Sequence, residues 1–335
     1  MPGESEIISR IRARSRSGLR VIAGIGDDAA VLRPSENCDL LACCDLSIEG
    51  IHFRTDWASP RLIGRKALAV NLSDIAAMGG VPLYATLSIA ITGHSSEYID
   101  QLFSGITDLA DAAGVSIIGG DTSSSPGPMF IDVSVIGECQ QGKAVLRSGA
   151  HPGDLIFVTG RLGASALGLK LLREGSRAAV VESDDPVQSA VQEAICRHLE
   201  PEARVAAGRL IGRSGLATAM IDISDGLSTD LNHILEESRC GALIHAESIP
   251  THPAVPMLDG VRGIESSLEM ALHSGEEYEL LFTVPSARRS DFEKLAPDFE
   301  VPISLIGEIV EGTSIEMELD GKRSAVKPSG YEHNI

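Results

Sequence analysis

The chain has 335 residues, which is more than one compact core usually holds and enough for two domains of ordinary size. Its 47 acidic and 28 basic residues give a net charge of −19, which argues against nucleic acid and anionic membrane surfaces as partners because both bind clustered Lys and Arg. No apolar run is long enough to span a membrane, no apolar signal core follows Met1, and the six cysteines lack disulfide or metal-ligand spacing, so we expect a cytoplasmic protein.

The first half of the chain alternates between strand-like and helix-like segments. Apolar runs and periodicity predict, in chain order, a helix within residues 1–20, strands at 19–25 and 40–44, a helix at 60–78, a strand at 83–91, a helix at 97–113, and strands at 115–119 and 129–137. Pro60 and the glycine pair after Met78 are typical of the two ends of a helix. The polar, glycine-containing stretch 140–153 indicates a domain boundary, and we expect domains at residues 1–145 and 146–335.

The second half continues this alternation. The predicted elements are a strand at 155–159, a turn at 160–163 leading into a helix, an exposed loop at 174–188, helices at about 188–198 and 202–213, a strand at 219–223, a helix at 227–238, strands at about 242–246, 280–284, 303–308 and 314–319, and a helix at about 286–295. Helices and strands that alternate in both halves indicate an α/β or α+β architecture rather than a helix bundle.

A glycine-rich segment, residues 24–29, follows the first predicted strand and nearly matches the dinucleotide fingerprint G-x-G-x-x-A. Asp45 lies at a suitable distance downstream for a ribose contact. However, Asp27 and Asp28 would repel a pyrophosphate, and Pro34 interrupts the helix that should bind it. Adjacent aspartates after a strand suit a hard cation better than either a pyrophosphate or a turn with solvated carboxylates.

Other acidic residues occur at predicted strand ends, at a glycine turn and on an apolar helix face. Asp45 ends a predicted strand, Asp74 interrupts the apolar stripe of the long helix, and Asp121 follows two glycines. Asp222 lies in a strand, and Asp225 precedes a helix. Each has a plainer interpretation, such as a cap, a turn or a distant arginine partner. Together they predict a site for several divalent cations, because ligands commonly bind at strand ends.

The usual phosphate-binding motifs are missing from the sequence. There is no G-x-x-x-x-G-K-[ST] loop and no protein-kinase H-R-D or D-F-G set. Arg147, near the predicted domain boundary, is the basic residue best placed to contact a phosphate. A polyphosphate bound by so acidic a protein therefore needs metal cations between the two negative charges.

The chain resembles the thiamine-monophosphate kinase family in a series of motifs that occur in that family's order and span nearly its whole length. These motifs are residues 24–30, Asp45 with 50–53, 66–79, 118–122, 147–154, 221–227, 274–280 and 330–333. The resemblance implies a fold like that of aminoimidazole ribonucleotide synthetase, in which an N-terminal α+β domain pairs with its copy to form a dimeric β-barrel and a C-terminal α/β domain packs beside it. It also implies a homodimer that uses ATP and several Mg²⁺ ions to convert thiamine monophosphate to thiamine diphosphate.

The resemblance also implies roles for individual residues. The metal ligands would be Asp28, Cys43, Cys44, Asp45, Asp74, Asp121, Asp222 and Asp225; ATP would contact Gly120, Asp121, Arg147 and Ser224; and thiamine monophosphate would contact His52, Glu276 and Tyr331. No covalent or general-base residue is expected. The family commonly has Ser or Thr where this chain has Cys43 and Cys44, so these two would bind metal through their backbone carbonyls or not at all.

Several alternatives remain open at this stage. The chain could be another ATP-dependent enzyme of the aminoimidazole ribonucleotide synthetase-like superfamily, an NAD-dependent dehydrogenase that uses residues 24–29, or a non-catalytic ATP-binding regulator. For the kinase interpretation we expect Asp222→Ala to abolish transfer. We expect Asp230→Ala, on the following helix, to leave it intact.

Overall fold

The computed structural model describes residues 4–15, 18, 20–178, 185–258 and 266–331. The chain divides into two compact units, which are described separately below. The first contains the described residues up to Ile75 together with Gly80–Gly142, and the second contains Ala76–Gly79 and the described residues from Lys143 onward. No helix in these described ranges is both long enough and apolar enough to cross a membrane.

The first unit combines a four-stranded sheet with helices and a short two-stranded sheet. Its elements are α1 (Glu4–Arg14), β1 (Val21–Ala23), β2 (Val31–Leu32), β3 (Cys38–Ile48), α2 (Pro60–Ala77), β4 (Val81–Ile91), α3 (Ser96–Ala113), β5 (Ser116–Ser124) and β6 (Phe130–Gln140). The strand order is β3-β6-β4-β5, in which β4 and β5 are parallel and the other pairs antiparallel. β1 pairs with β2.

The two faces of the four-stranded sheet differ in burial. Ile131, Val133 and Val135 alternate along β6 on one face and are completely buried, as a strand with one core face requires. On the other face, Leu40 and Leu46 of β3 are 59% and 48% exposed. The described sheet is open, with β3 and β5 at its edges. A single chain therefore does not show the closed barrel that the resemblance implies for a dimer.

Helices α2 and α3 cross closely because glycines remove side chains at their contact. A Cβ atom at Gly64 would overlap the carbonyl oxygen of Leu102, and one at Gly105 would overlap that of Arg61. The Ser95 side chain caps the start of α3 by accepting the N–H of Tyr98. This packing fixes α2, the helix that carries Asp74.

The second unit is a seven-stranded mixed sheet with helices. Its elements are β7 (Asp154–Thr159), α4 (Ala164–Arg173), α5 (Pro186–Leu199), α6 (Val205–Ser214), β8 (Ala219–Asp222), α7 (Leu227–Ser238), β9 (Gly241–His245), α8 (Ala254–Leu258), α9 (Ser267–His273), β10 (Leu280–Pro285), α10 (Arg289–Glu293), β11 (Ile303–Val310), β12 (Ile315–Leu319) and β13 (Lys322–Val326). The strand order is β13-β12-β9-β11-β7-β10-β8. Among the strands described in this unit, only β9 and β12 pair in parallel. The name α/β, which implies a mainly parallel sheet, therefore fits this unit poorly.

Apolar side chains cover both faces of this sheet. One cluster includes Ile156, Val158 and Ile221 together with residues of α7. The other includes an aromatic group in which the Phe157 ring lies 5.6 Å from that of Phe282 and 4.8 Å from that of Phe292. The central strand β7 is thus buried on both sides. Its neighbour β10 pairs with β8, the edge strand that ends at Asp222.

Several predicted element boundaries are wrong. β3 continues to Ile48, so Asp45 lies inside a strand rather than at its end. β5 continues to Ser124, so Gly120 and Asp121 are strand residues rather than a turn. The predicted loop 174–188 already contains the start of α5, although residues 179–184 lie outside the described part. The two strands are continued by polar residues that pair with strands elsewhere in the chain, whereas α5 begins at a local cap, Asp185, whose side chain accepts the N–H of Val187.

Candidate functional site

The first acidic cluster lies between β3 and α2. Cys43 and Asp45 point to the helix-covered face of β3, and the thiol of Cys43 donates to the backbone oxygen of Asn71 at 3.4 Å. Asp74, one helical turn after Asn71, is hydrogen-bonded through its carboxyl group to both Asp45 and Cys43. The side chain of Asp74 is partly exposed, which corrects the expectation that it interrupts a fully buried stripe.

Electrostatics make this cluster a candidate cation site. Burial raises the pKa of Asp45, the charge of Asp132 raises it further, and the hydrogen bond to Asp74 opposes the shift. Burial and the charges of Asp74 and Asp45 likewise raise the pKa of the Cys43 thiol. Two ionised carboxylates can only accept hydrogen bonds, so the Asp45–Asp74 pair must share a proton unless a cation replaces it. Mg²⁺ prefers oxygen ligands, and this pair of carboxylates supplies them.

The two cysteines differ in position. Cys43 faces α2, whereas Cys44 points to the opposite face of β3 and is exposed. Their side chains therefore cannot ligate the same ion. A thiol also matches Mg²⁺ poorly, because hard cations prefer oxygen ligands. This geometry excludes joint ligation by the two thiols, and it is compatible with both interpretations left open by the sequence, backbone carbonyl ligands or no ligation at all.

A second group of predicted residues lies beside β5. Gly24 lies next to this strand, because a Cβ atom there would be 4.0 Å from the carbonyl oxygen of Ile118. Asp28 is exposed, and its N–H donates to the side chain of Asp27 at 3.2 Å. A Cβ atom at Gly120 would overlap the carbonyl oxygen of Leu87, so only glycine allows β4 and β5 to approach this closely.

The two groups of the first unit lie at opposite edges of the sheet. The register aligns Asp45 with Val133, Val133 with Leu87, and Leu87 with Gly120. Three strand spacings separate the ends of this row, which is roughly 14 Å. Within one chain, Asp45 and Asp74 are therefore brought together, whereas Gly120 and Asp121 are not near them.

His52 lies in the turn that follows β3. The ring atom Nδ1 of His52 accepts the backbone N–H of Ile48 at 3.0 Å. The backbone N–H of His52 donates to the backbone oxygen of Ile48 at 2.9 Å. Because Nδ1 is an acceptor, the neutral ring carries its proton on Nε2. The turn thus presents a hydrogen-bond donor at a fixed position.

The second unit gathers three predicted motifs around the end of β8. Asp222 is the last residue of this edge strand and is 4% exposed. The N–H of Glu276 donates to the Ser224 oxygen at 2.7 Å, and the N–H of Tyr331 donates to the Asp225 oxygen at 3.1 Å. Residues far apart in sequence are therefore held together by backbone hydrogen bonds. Tyr331 itself is 52% exposed.

Asp230 fixes the loop that carries Ser224 and Asp225. One oxygen of its buried carboxylate accepts the N–H groups of Ser224, Asp225 and Gly226 at 3.1, 3.1 and 3.0 Å. Burial, with the charge of Asp225, raises the pKa of Asp230 to about 7. These N–H groups at the start of α7 would otherwise suit a phosphate, so a phosphate here must be held by other groups. The sequence alone predicted that Asp230→Ala would leave transfer intact, and it gave no indication that Asp230 holds this loop.

His233 is a further residue that the sequence did not suggest. One ligand atom from each of Asp225, Asp230 and His233 lies within 4.8 Å of the other two. Because Asp230 already accepts three backbone N–H groups through one oxygen, its remaining capacity for a cation is limited. The carboxylates of Asp222 and Asp225 therefore remain the more suitable ligands in this unit.

Glu277 and Glu279, which follow Glu276 in the chain, form hydrogen bonds with other parts of the second unit. Glu277 accepts the N–H of Gly163 at 2.9 Å, and burial raises its pKa to about 8. Glu279 accepts a hydrogen bond from Thr159 at 2.6 Å and pairs with Arg204. Both glutamates border a cavity of about 290 Å³ whose wall also includes Arg161, Arg197 and His252.

Arg147 lies beside the outer edge of β8, the last strand of the seven-stranded sheet. The backbone oxygen of Leu146 accepts the N–H of Met220 at 2.9 Å, which places the exposed Arg147 beside the strand that ends in Asp222. The oxygen of Arg147 also accepts the hydroxyl of Ser238 at 3.3 Å. The backbone of Arg147 is thus fixed while its guanidinium extends outward.

Comparison with known proteins identifies the same two-part organisation. Residues 26–139 match the family model described as AIR synthase related protein, N-terminal domain, and residues 151–320 match the corresponding C-terminal domain. The chain is 37% identical over 335 residues to the thiamine-monophosphate kinase of Bacillus subtilis (strain 168), covering 98% of this chain and 99% of that relative.

Solved structures resemble the chain over the same length. A thiamine-monophosphate kinase from Stenotrophomonas maltophilia K279a has a TM-score of 0.82 and 35% identity, covering 94% of this chain and 96% of that one. AaThiL, complexed with AMPPCP and TMP, has a TM-score of 0.76 and 33% identity, covering 99% and 97%. The likeness thus extends over both units of the chain.

Proposed function

This chain belongs to the thiamine-monophosphate kinase family of AIR synthase related proteins, and on that premise we propose that it phosphorylates thiamine monophosphate with ATP, giving thiamine diphosphate and ADP. The observation that carries this assignment is the identity of 37% with a kinase of that name over nearly the full length of both proteins. The relative AaThiL, complexed with AMPPCP and TMP, supports a nucleotide and an acceptor as the two ligands.

The chemistry requires charge neutralisation more than a catalytic base. The acceptor is itself a phosphate, whose oxygen is ionised at neutral pH, so direct in-line transfer needs no covalent or general-base residue. The main barrier is the repulsion between two polyanions. Mg²⁺ bound to carboxylates would offset that repulsion. We assign its binding to Asp45 and Asp74 in the first unit and to Asp222 and Asp225 in the second, with Asp28 and Asp121 as further ligands.

Candidate nucleotide contacts occur in each unit, and they are assigned separately for each. We assign ATP contacts to Gly120 and Asp121 of β5, a strand at the edge of the described sheet. In the second unit, the Ser224 hydroxyl and the extended Arg147 guanidinium would contact phosphates. The N–H groups of Ser224, Asp225 and Gly226 cannot replace them, since all three donate to Asp230.

We also propose a homodimer in which residues 1–145 form the dimerisation domain. Leu40 and Leu46 expose an apolar sheet face, and β3 and β5 leave two unpaired edges in the described sheet. Joining two such sheets edge to edge would bring β3 of one copy beside β5 of the other. Asp45 of one copy would then approach Asp121 of the other, although the two residues lie at opposite edges of the sheet within one chain.

The cytoplasm is the proposed site of action. All six cysteines are free, which suits a reducing compartment, and ATP is a cytoplasmic substrate.

The tail around Tyr331 is expected to contribute to acceptor binding. In support, the backbone N–H of Tyr331 donates to the Asp225 oxygen, which holds the backbone of this half-exposed residue next to Asp225. We assign to its ring a stacking contact with the thiazolium or pyrimidine ring. His52 and Glu276 are the other residues assigned to the acceptor. Deleting residues 329–335 should raise the KM for thiamine monophosphate at least several-fold and leave the KM for ATP nearly unchanged. Steady-state kinetics with each substrate varied in turn would measure both. An unchanged KM for thiamine monophosphate would show that the tail is only structural.

The kinase assignment predicts that ATP consumption depends on the acceptor. Purified protein with ATP and Mg²⁺ should consume little ATP until thiamine monophosphate is added, and unphosphorylated thiamine should not replace it. A coupled assay for ADP measures this dependence. Equal ADP formation with and without acceptor would favour hydrolysis, and none under any condition would favour a non-catalytic regulator.

A further inference from the structure

His198 is a buried polar residue next to the proposed acceptor site, and neither the motifs nor the proposed mechanism uses it. It lies near the end of α5 and is 4% exposed. Its Nδ1 atom is 3.2 Å from an Oε2 atom of Glu276 and 3.2 Å from the hydroxyl oxygen of Ser165 on α4. These contacts connect two helices to the segment assigned to acceptor binding.

The geometry defines the hydrogen bonding of this group. An ionised carboxylate only accepts hydrogen bonds, so Nδ1 of His198 must carry the hydrogen shared with Glu276. The hydroxyl oxygen of Ser165 is a second acceptor at the same distance. His198 therefore acts as a donor that holds one oxygen of Glu276 in a defined direction.

The positions of the two helices are themselves fixed. A Cβ atom at Gly168 of α4 would overlap the carbonyl oxygen of Ala194 on α5, and would lie 3.0 Å from the Cβ of His198. Such close helix packing allows little movement of the imidazole ring. His198 is consequently a rigid support for a side chain on a less regular segment.

Glu276 is a residue that needs such support. Its φ angle of 61° is in the left-handed region, which non-glycine residues rarely adopt. Its N–H is bound to the Ser224 oxygen, which fixes the backbone but leaves the side chain able to rotate. The side chain is 28% exposed, so part of it can face a ligand.

We propose that His198 is a positioning residue that, with Ser165, orients the Glu276 carboxylate toward the cationic ring system of the acceptor. This inference rests on the proposed function, and it adds a specificity determinant that the sequence motifs do not contain. Because Glu276 is assigned to the acceptor and not to the nucleotide, the effect of His198 should be confined to acceptor binding.

The test compares two substitutions that differ in one donor group. His198→Phe keeps a planar ring but removes the donor, and should raise the KM for thiamine monophosphate about tenfold, with little change in kcat or in the KM for ATP. His198→Asn keeps an N–H donor near the position of Nδ1 and should retain a KM close to that of the unmodified protein. His151→Leu, at an exposed position of the same unit, is the matched control.

A double-mutant cycle with Glu276→Gln separates positioning from general stability. If His198 acts through Glu276, His198→Phe should add little to the KM of Glu276→Gln. Additive effects, or an equal rise in the KM for ATP, would overturn the proposal. If thermal unfolding shows that His198→Phe does not fold, His198→Gln takes its place. Its amide lies one bond farther from the backbone, so its N–H donor is displaced from the position of Nδ1.

The outcomes distinguish this inference from the proposed function. An unmodified protein that turns over thiamine monophosphate, together with an unchanged KM in His198→Phe, overturns only the role of His198. An unmodified protein that neither binds thiamine monophosphate by calorimetry nor converts it overturns both.

Discussion

Asp74→Asn should lower turnover by roughly two to three orders of magnitude, because a bound metal ion supplies several kcal/mol of charge stabilisation in the transition state. Asp74 is hydrogen-bonded to Asp45, and the two carboxyl groups together form the candidate cation site between β3 and α2. Asparagine keeps the size of the side chain and can still hydrogen-bond to Asp45, now as a donor, but it removes one negative charge. The Mg²⁺ concentration needed for half-maximal activity should therefore rise as well.

The fold of Asp74→Asn should be preserved. Asp74 is partly exposed, and α2 is held by its apolar residues and by the close crossing with α3 at Gly64 and Gly105. Circular dichroism and thermal unfolding would confirm this. Asp111→Asn, an exposed change on α3, is the control and should keep full activity. Unchanged turnover in Asp74→Asn would mean that Asp74 is a structural partner of Asp45 rather than a metal ligand.

Asp222→Ala should lower turnover by a factor similar to that expected for Asp74→Asn, which effectively abolishes transfer. Asp222 ends the edge strand β8, is 4% exposed, and lies within two residues of Ser224. Strand pairing with Leu280 holds its backbone, so loss of the side chain should leave the sheet in place. Turnover at saturating ATP and acceptor, together with Mg²⁺ binding by calorimetry, would measure the loss. Asp222→Asn, which preserves volume, should behave like Asp222→Ala if charge is what matters.

The control for Asp222 cannot be Asp230. Removing the Asp230 carboxylate would leave three backbone N–H groups without their acceptor and would release the loop that carries Asp225. Asp230→Ala should therefore reduce both stability and activity. Glu237→Gln, an exposed change on the same helix, is the suitable control. Equal losses in Asp222→Asn and Glu237→Gln would indicate a general folding defect.

Sequence patterns located the local features of this protein well. The helix from Pro60, the strand that ends near Asp222 and the helix that follows it all occur as predicted. These features depend on the periodicity and capping preferences of neighbouring residues. The mainly antiparallel sheet of the second unit was not predictable in this way, since pairing between distant strands leaves no local pattern.

The same distinction applies to the site. Asp45 and Asp74 could be selected individually as polar residues in apolar segments, but their hydrogen bond depends on the packing of α2 against β3. His198 gave no signal, because its partners Ser165 and Glu276 are distant in sequence. For Asp230 the signal was ambiguous, since an acidic residue in the first turn of a helix is common for reasons of helix stability alone.

The most direct test of the account is identification of the phosphorylated product. The protein is incubated with ATP, thiamine monophosphate and Mg²⁺, and the products are followed by ³¹P NMR and by chromatography of the thiamine phosphates. The account predicts equal amounts of ADP and thiamine diphosphate, and neither product when EDTA is present in excess. ADP and inorganic phosphate without thiamine diphosphate, or full activity in EDTA, would contradict it.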